Sequence, residues 1–575
     1  MPHRSRLKPA DDAGAETTPR PGGTLRIAGS LDPDHLDTAS GYLTQTWALT
    51  RNYARTLFNI RGGASFSEAV ELLPDVATRI PTVHNSGISA DGCTYVIQLR
   101  HGVLWNTVPP REVTAEDFIR GLKRLGNPLQ PCGGLAYYCD TIKGMAEFCA
   151  GYARVRPDRA EDLARYQNAH PVAGLRALGD KTLEIELCRP ASDFLRLLSL
   201  QFAAAAPEEY DQYLPDGVGL RNNIVSNGPY QLTECTPGER YLLTRNPAWD
   251  PGTDPIRSQY VDAIELDLRY RSADDVQLAL EAGSADLSWD QRVPTSRIPG
   301  LLAEGCPQLL VADEAMTSPY LVFNMSSRAL SDVRVRRAVA YAIDKAALAE
   351  VYGGPIIASP LDQVIPPGTF GYRRFAPYAT PDHRGDPATA RRLLTEAGHA
   401  DGLVLRFPYR ETSSYPRVAE FIAADLGRCG IQAELIGDAT GSWYGRILHD
   451  PDAARAGEWD IATPGWVCDW YGNNGRTSIA PLFSGRSVGA NSPNYGLYSN
   501  PHVDDLIERA LNAASDDEAA TWWHEADRII MADAAIVPLL VQKYPIFSSE
   551  RVRGNCYLPA IQAFEYNQAW LAWEK

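Results

Sequence analysis

The chain of 575 residues is 44% hydrophobic and 22% charged, an ordinary globular usage far from disordered or fibrous extremes, and it is long enough that one core should give way to two or three lobes. Its 55 basic and 71 acidic residues leave a net charge of −16. With no dense Lys/Arg run to follow a phosphate backbone or an anionic bilayer, nucleic acid is excluded as a partner. The longest apolar stretch near the C-terminus, Ile529 to Val541, is broken by Asp533 and falls short of the roughly 20 residues of a membrane span.

The first 22 residues end in TTPRPGG and carry no periodic apolar face, so they read as a flexible leader without the apolar core of a secretory signal. GGTLRIAG reads as a strand, followed by the turn-rich LDPDHLDTASGYLTQTW and a helical pattern over LTRNYARTLF, residues 49–58. In GCTYVIQLRHGVLW, alternation puts Tyr95, Ile97 and Leu99 on one face of a strand. VTAEDFIRGLKRL reads as a helix capped by Thr114, with Asp117 favouring the same end electrostatically. KTLEIELCRP and YVDAIELDLRYRS are further strands, and DFLRLLSL and DDVQLALEAG short helices. Later, Asp386 caps a helix with Pro387 in its first position, Ala390, Leu393, Leu394 and Ala397 on one face, and Gly398 as its stop. GLVLRFPYR, RVAEFIAADLGRCG (Val418, Ile422 and Leu426 in line) and IQAELIG then have the dimensions of a βαβ crossover. The pattern is that of an α/β protein with a mixed-sheet lobe in each half, and no low-complexity linker after residue 23 separates the lobes. Intact crossing strands, able to act as a hinge, are expected to join them.

Ten cysteines occur without a C-x-x-C pair or histidines at zinc spacing, so neither metal nor cofactor is expected. Cys132, Cys139 and Cys149 are near enough in sequence for a local disulfide in an oxidising compartment. Spacing leaves the pairing open, and buried free thiols are the alternative.

Several collinear segments resemble the extracellular solute-binding proteins of ABC importers, family 5, which capture oligopeptides and dipeptides. They are LLPDVATRI with DGCTYVIQLRHGVLWN and VTAEDFIRGLKRL; NGPYQLTECTPGERYLLTRNPAWD; and LVFNMSSRALSDVRVRRAVAYAIDKAAL. The resemblance implies a periplasmic-binding-protein-like type II clamshell, α/β and three-lobed, with ligand between domains I and III. On this sequence domain I would take residues 23–62, 183–312 and 539–575, domain II 63–182 and domain III 313–538, after the 1–22 leader. It further implies a monomer with no enzymatic activity, held extracytoplasmically at the cell surface. Its partners would be an oligopeptide or peptide-like solute and the importer's permease subunits.

The segment Gly465-Trp466-Val467-Cys468-Asp469-Trp470-Tyr471, after the predicted strand WDIATP, is similar to the Gly-Trp-x-x-Asp sequence of oligopeptide-binding relatives. That likeness implies Asp469 as partner of the ligand α-ammonium group, Gly465 and Val467 as backbone contacts, and Trp466 as an aromatic wall, with Trp470 beside it. The chemistry stands without the likeness. A receptor tolerant of sequence must hold what all peptides share, two charged termini and a row of N–H and C=O groups. Core packing is the plain alternative for Trp466 and Trp470, and a turn cap for Asp469. Where relatives continue with Tyr and an acidic or Asn-Pro turn, this chain continues Trp470-Tyr471-Gly472-Asn473-Asn474-Gly475, which leaves ligand length open. Ser40-Gly41-Tyr42 and Trp47 stand where relatives place the opposite wall. Arg410, at the end of a βα turn, is the candidate for a ligand carboxylate, with a solvated arginine as the alternative.

Gly485-Arg486-Ser487-Val488-Gly489 matches the G-x-S-x-G of a hydrolase elbow, but the strand before and helix directly after that this motif needs are missing. The second class of function is recruitment of the same scaffold to a natural-product pathway, to bind or act on a peptide-like or arginine-containing metabolite. Family members in antibiotic-producing actinobacteria do occur beside such pathways, that of clavulanic acid among them.

Overall fold

The computed structural model describes residues 18–63, 66–312, 319–411, 414–438, 443–470, 475–489, 492–513 and 515–572; most of the leader, residues 1–17, lies outside them. The chain divides into two compact units, residues 1–312 with 545–575, and residues 313–544.

Unit 1 is built on a five-stranded mixed sheet. Strand Thr24–Ala28 lies parallel to Ala263–Asp267 and Leu287–Ser288, and Arg240–Arg245 and Tyr230–Thr236 extend the sheet antiparallel. Alternation sets its buried face, with Leu25, Ile27, Tyr241, Leu243, Ile264 and Leu266 at most 1% exposed. A second antiparallel sheet, Thr94–Gln98 with Thr182–Glu186 and Leu175–Ala177, buries Tyr95 and Ile97 as their spacing predicts. The predicted strand around them turns back at Gly102 (φ 77°), and Leu104–Trp105 pairs with Arg111–Glu112. Helix Ala115–Arg124 covers this sheet. Thr114 and Asp117 form its capping box, the Asp117 carboxylate accepting the Thr114 N–H at 2.9 Å.

The helix expected over 49–58 stands earlier, at Thr44–Thr50. The reason is a set of polar side chains drawn inward. Asn52 donates to the carbonyls of Ala48 and Leu49 and closes the helix, while Arg51 and Arg55 turn into a buried ionic network. Strand Leu309–Ala312 ends the first part of unit 1 and pairs with Tyr544–Phe547, which begins at the last residue of unit 2 and returns to unit 1 from residue 545.

Unit 2 is centred on strand Tyr320–Phe323, flanked antiparallel by Ile461–Ala462 and Ile536–Pro538. This strand is buried on both faces, so it reads as a continuous apolar run. Tyr320 and Val322 enter a core with Trp443, Trp459 and Trp523. Leu321 and Phe323 enter another with Val418, Ile422 and Leu426 of helix Tyr415–Gly427. The βαβ crossover forms as its periodicity predicts, Leu403–Arg410 running parallel to Ile431–Asp438. Asp386 caps helix Pro387–Glu396, accepting the N–H groups of Ala388 and Thr389, and Gly398 (φ 90°) ends it.

Asp527, fully buried in helix Asp516–Ala532, accepts hydrogen bonds from the backbone N–H groups of Val364 and Ile365, each at 3.0 Å, and from Gln363. Burial outweighs these donors and pushes its carboxyl up to about 7. A raised folded-state pKa means that the native chain keeps a proton which the unfolded chain loses near pH 4. The resulting stability is complete below about pH 4 and is lost as pH rises through about 7, a fall of about 4 kcal/mol. Urea unfolding of unit 2 between pH 4 and 7.5 should show this slope, and Asp527→Asn should flatten it. Equal slopes in both proteins would place the titration elsewhere.

Candidate functional site

In unit 2 the strand Ile461–Ala462 delivers the chain to the Gly-Trp-x-x-Asp segment through Thr463 and Pro464, whose carbonyl accepts the Tyr320 N–H at 3.1 Å. Gly465 donates its N–H to the Tyr444 hydroxyl at 3.2 Å, and the Trp466 indole donates to the Thr477 carbonyl at 2.6 Å. Gly465, Trp466, Val467 and Asp469 are half-buried, with solvent on one side. Cys468 and Trp470 are buried, 2% and 3% exposed. Residues 471–474, which carry the departure from the relatives' pattern, lie outside the described residues.

Arg410 closes the first strand of the βαβ unit, and its guanidinium is walled by three aromatic rings. Its carbon stands 3.7 Å from the ring centre of Tyr415, 5.0 Å from Tyr444 and 5.4 Å from Trp443. Such rings hold a cation through their quadrupoles. The buried Nε finds no hydrogen-bond partner, and no carboxylate pairs with Arg410 among the described residues. Tyr444 therefore joins the two candidate elements, one face toward Arg410 and its hydroxyl on Gly465. Burial pushes the Tyr444 phenol up against the pull of Arg410's charge and the Gly465 N–H, so the hydroxyl stays neutral at pH 7.

In unit 1, Tyr42 is 40% exposed. Its ring stacks on Phe202 with centroids 5.7 Å apart and planes 5° from parallel, and Trp47 meets both rings edge-on. Trp47 is buried, and its indole donates to the Gly41 carbonyl at 2.9 Å, so it supports the platform from behind. Asp34 fixes the loop by accepting the N–H groups of Tyr42 and Leu43. Gly133 and Gly134 lie against Tyr42 and Phe202 so closely that a Cβ would stand 3.1 and 2.6 Å from the rings.

Sequence reasoning misses Tyr415, Trp443 and Tyr444 around Arg410, and Phe202 under Tyr42. Tyr415 opens the helix that follows Arg410 and had a local signal in the Tyr-Pro step. Phe202 and the Trp443-Tyr444 pair are distant in sequence and gave none. Ser487 lies in a single helical turn, Gly485–Ser487, preceded by helix Gly475–Phe483, and donates its hydroxyl to the Ser484 carbonyl at 2.9 Å. No cluster of His, Cys, Asp and Glu suited to a metal occurs among the described residues, and none of their helices is long and apolar enough to cross a membrane.

Mixed sheets flanked by helices, with a half-buried Gly-Trp-x-x-Asp segment after a core strand, are the architecture of a solute-binding protein. The family model of the bacterial extracellular solute-binding proteins, family 5, matches residues 71–487, and the chain belongs to that family. The dipeptide-binding protein of Escherichia coli (strain K12) is 27% identical over 497 residues, 82% of each chain. The glutathione-binding protein GsiB of Salmonella paratyphi A (strain ATCC 9150 / SARB42) is 25% identical over 441 residues, 74% of this chain and 81% of the other. Among solved structures, clavulanic acid biosynthesis oligopeptide binding protein 2 superposes with a TM-score of 0.85 at 25% identity, covering 96% of each chain. The Escherichia coli murein tripeptide binding protein MppA gives 0.73 at 20% identity over 96% of this chain and 99% of the other.

Proposed function

We propose that the protein is the extracytoplasmic, surface-associated receptor of an ABC importer, that it captures oligopeptides or peptide-like solutes without transforming them, and that Asp469 and Arg410 hold the two ligand termini. Asp469 takes the α-ammonium group. Gly465 and Val467 offer backbone groups to the peptide, and Trp466 and Tyr42 are aromatic walls. Residues 63–182 are taken as a lobe of their own beside domain I. The observation that carries this reading is Arg410, a cation boxed by Tyr415, Trp443 and Tyr444, with no carboxylate within ion-pair distance of it among the described residues, since its strand neighbour Asp438 pairs with Arg446. A carboxylate supplies the missing charge, and the planar fork of arginine suits it.

Calorimetry with a tripeptide and its C-terminal amide tests the assignment. Wild type should bind the acid about tenfold or more tightly than the amide, and Arg410→Gln should bind both alike. The same preference for the acid in both proteins would remove Arg410 from the site.

Non-catalysis is supported by Ser487, whose hydroxyl is committed to its own helical turn. Peptidase or esterase activity that vanished in Ser487→Ala would overturn it. The likeness to clavulanic acid biosynthesis oligopeptide binding protein 2 supports a second reading, in which the captured solute belongs to a natural-product pathway. Native mass spectrometry of the purified protein separates the two, since a mixture of peptides and a single metabolite leave different mass shifts.

A further inference from the structure

In unit 1 the loop from Asp34 to Leu43 presents Tyr42 and leads into helix Thr44–Thr50. Two carboxylates hold it. Asp34 accepts the Tyr42 N–H at 2.7 Å, the Leu43 N–H at 3.1 Å and the Thr46 hydroxyl at 2.5 Å, which ties the end of the loop to its start. Asp216, distant in sequence, fastens that start to the rest of the unit. One of its oxygens accepts the Leu36 N–H at 2.9 Å, and the other lies 2.5 Å from His35 Nδ1 and 2.7 Å from Arg221 Nη2. Arg221 also donates to the Asp34 carbonyl at 3.4 Å. Asp216 stands at φ 51°, a left-handed conformation that residues other than glycine seldom adopt, so the turn accepts backbone strain in bringing its carboxylate to the loop. The side chains of His35 and Asp216 are 19% and 7% exposed, which leaves little water between them.

We infer that His35 and Asp216 form a proton-operated latch on loop 34–43, in which the imidazolium grips the carboxylate and fixes the loop, and loss of its proton loosens it. A neutral imidazole still donates from Nδ1, but the ion pair adds the attraction of opposite charges in a site mostly closed to water. The hydrogen bond to Asp216 pushes the His35 imidazole up from its usual value, aided by the charges of Asp216 and Asp34 and opposed by burial and Arg221. Burial would raise the Asp216 carboxyl, but His35, Arg221 and the Leu36 N–H hold it below the usual carboxylate range. Because the imidazole is raised, the latch is complete below about pH 6.5 and is lost as pH rises through the higher folded-state value. The other titratable groups nearby do not compete. Tyr53 donates to the Leu36 carbonyl, Tyr241 donates to Asp32, and Cys235 is within reach of the charges of Arg221 and Asp216; burial pushes all three up. Asp37 is paired with Arg124. The loop carries the Tyr42 ring that stacks on Phe202, so the latch sets how firmly that platform is held. Nothing in it depends on the proposed ligand.

Two measurements on the full chain test the latch. Imidazole NMR, with the His35 signal assigned by its absence in His35→Gln, should show His35 titrating above about 6.5, and Asp216→Asn should move that titration downward. Hydrogen exchange of a peptide spanning residues 34–43, corrected for the intrinsic pH dependence of exchange, should be several-fold slower at about pH 5.5 than at about pH 8 in wild type. His35→Gln keeps a donor for Asp216 and has no proton to lose, so its corrected exchange should be equal at the two pH values. Titration of His35 at or below about 6.5, a titration unmoved by Asp216→Asn, or the same pH dependence of loop exchange in wild type and His35→Gln would each overturn the inference.

Discussion

Asp469→Asn should weaken binding of a free tripeptide by roughly thirty-fold to several-thousand-fold while leaving the fold intact. The range follows from removing one partner of a desolvated charge pair, which costs about 2 to 5 kcal/mol because the other charge is left without compensation. Each factor of ten in dissociation constant is about 1.4 kcal/mol. Asp469 is half-buried on the segment that Tyr444 anchors at Gly465, so the exchange of carboxylate for amide keeps the shape and alters the charge. An N-acetylated peptide has already lost its ammonium group. It should bind wild type poorly and be little affected further by the substitution. Calorimetry on both proteins with both peptides closes the double-mutant cycle. Additive losses would show that Asp469 and the ammonium group do not interact, and would turn attention to a purely structural role.

Much of the framework behind this site was legible in the sequence because local chemistry and tertiary packing agree there. Asp386, Pro387 and Gly398 punctuate a helix whose ends fall where those residues require. The run from Leu403 to Asp438 changes from a period of two to one of 3.6 and back, and forms a parallel pair around a helix. The stretch 49–58 misled because Arg51, Asn52 and Arg55, spaced as on an exposed helical face, are in fact buried. Their partners at residues 75, 254 and 565 lie far along the chain, and only the folded unit supplies them. Arg410 shows the same limit at the site. An arginine closing a strand reads equally well as a solvated residue, and what distinguishes it is the ring pair Trp443 and Tyr444, brought beside it by the tertiary fold.

The buried ionic network of unit 1 carries the other large expected effect. Arg51, Arg55 and Arg257 face Asp75, Asp254 and Glu565, three charges of each sign, all within the core. Asp75 is central, with one carboxylate oxygen 2.8 Å from Arg55 Nε and the other 2.8 Å from Arg257 Nη1. Arg51 joins the C-terminal segment through Glu565 at 2.7 Å, and Arg257 donates to the Arg51 carbonyl at 2.9 Å. The network thus ties together four stretches of chain, around residues 51–55, 75, 254–257 and 565. Burial alone would raise the Asp254 carboxyl, but the charges of Arg55 and Arg257, with backbone N–H donors, hold it at about 2. Its share of the stability is present above pH 4 and is lost only as pH falls through about 2. Asp75→Asn leaves three buried guanidinium groups against two carboxylates, and should destabilise unit 1 by about 3 to 5 kcal/mol. Because the chain has two units, a single unfolding free energy would blur this effect. Hydrogen exchange read peptide by peptide should show faster exchange around residues 51–59, 250–257 and 560–568, with unit 2 unchanged. Uniform loss across both units, or none in unit 1, would show that this network is not what holds those segments together.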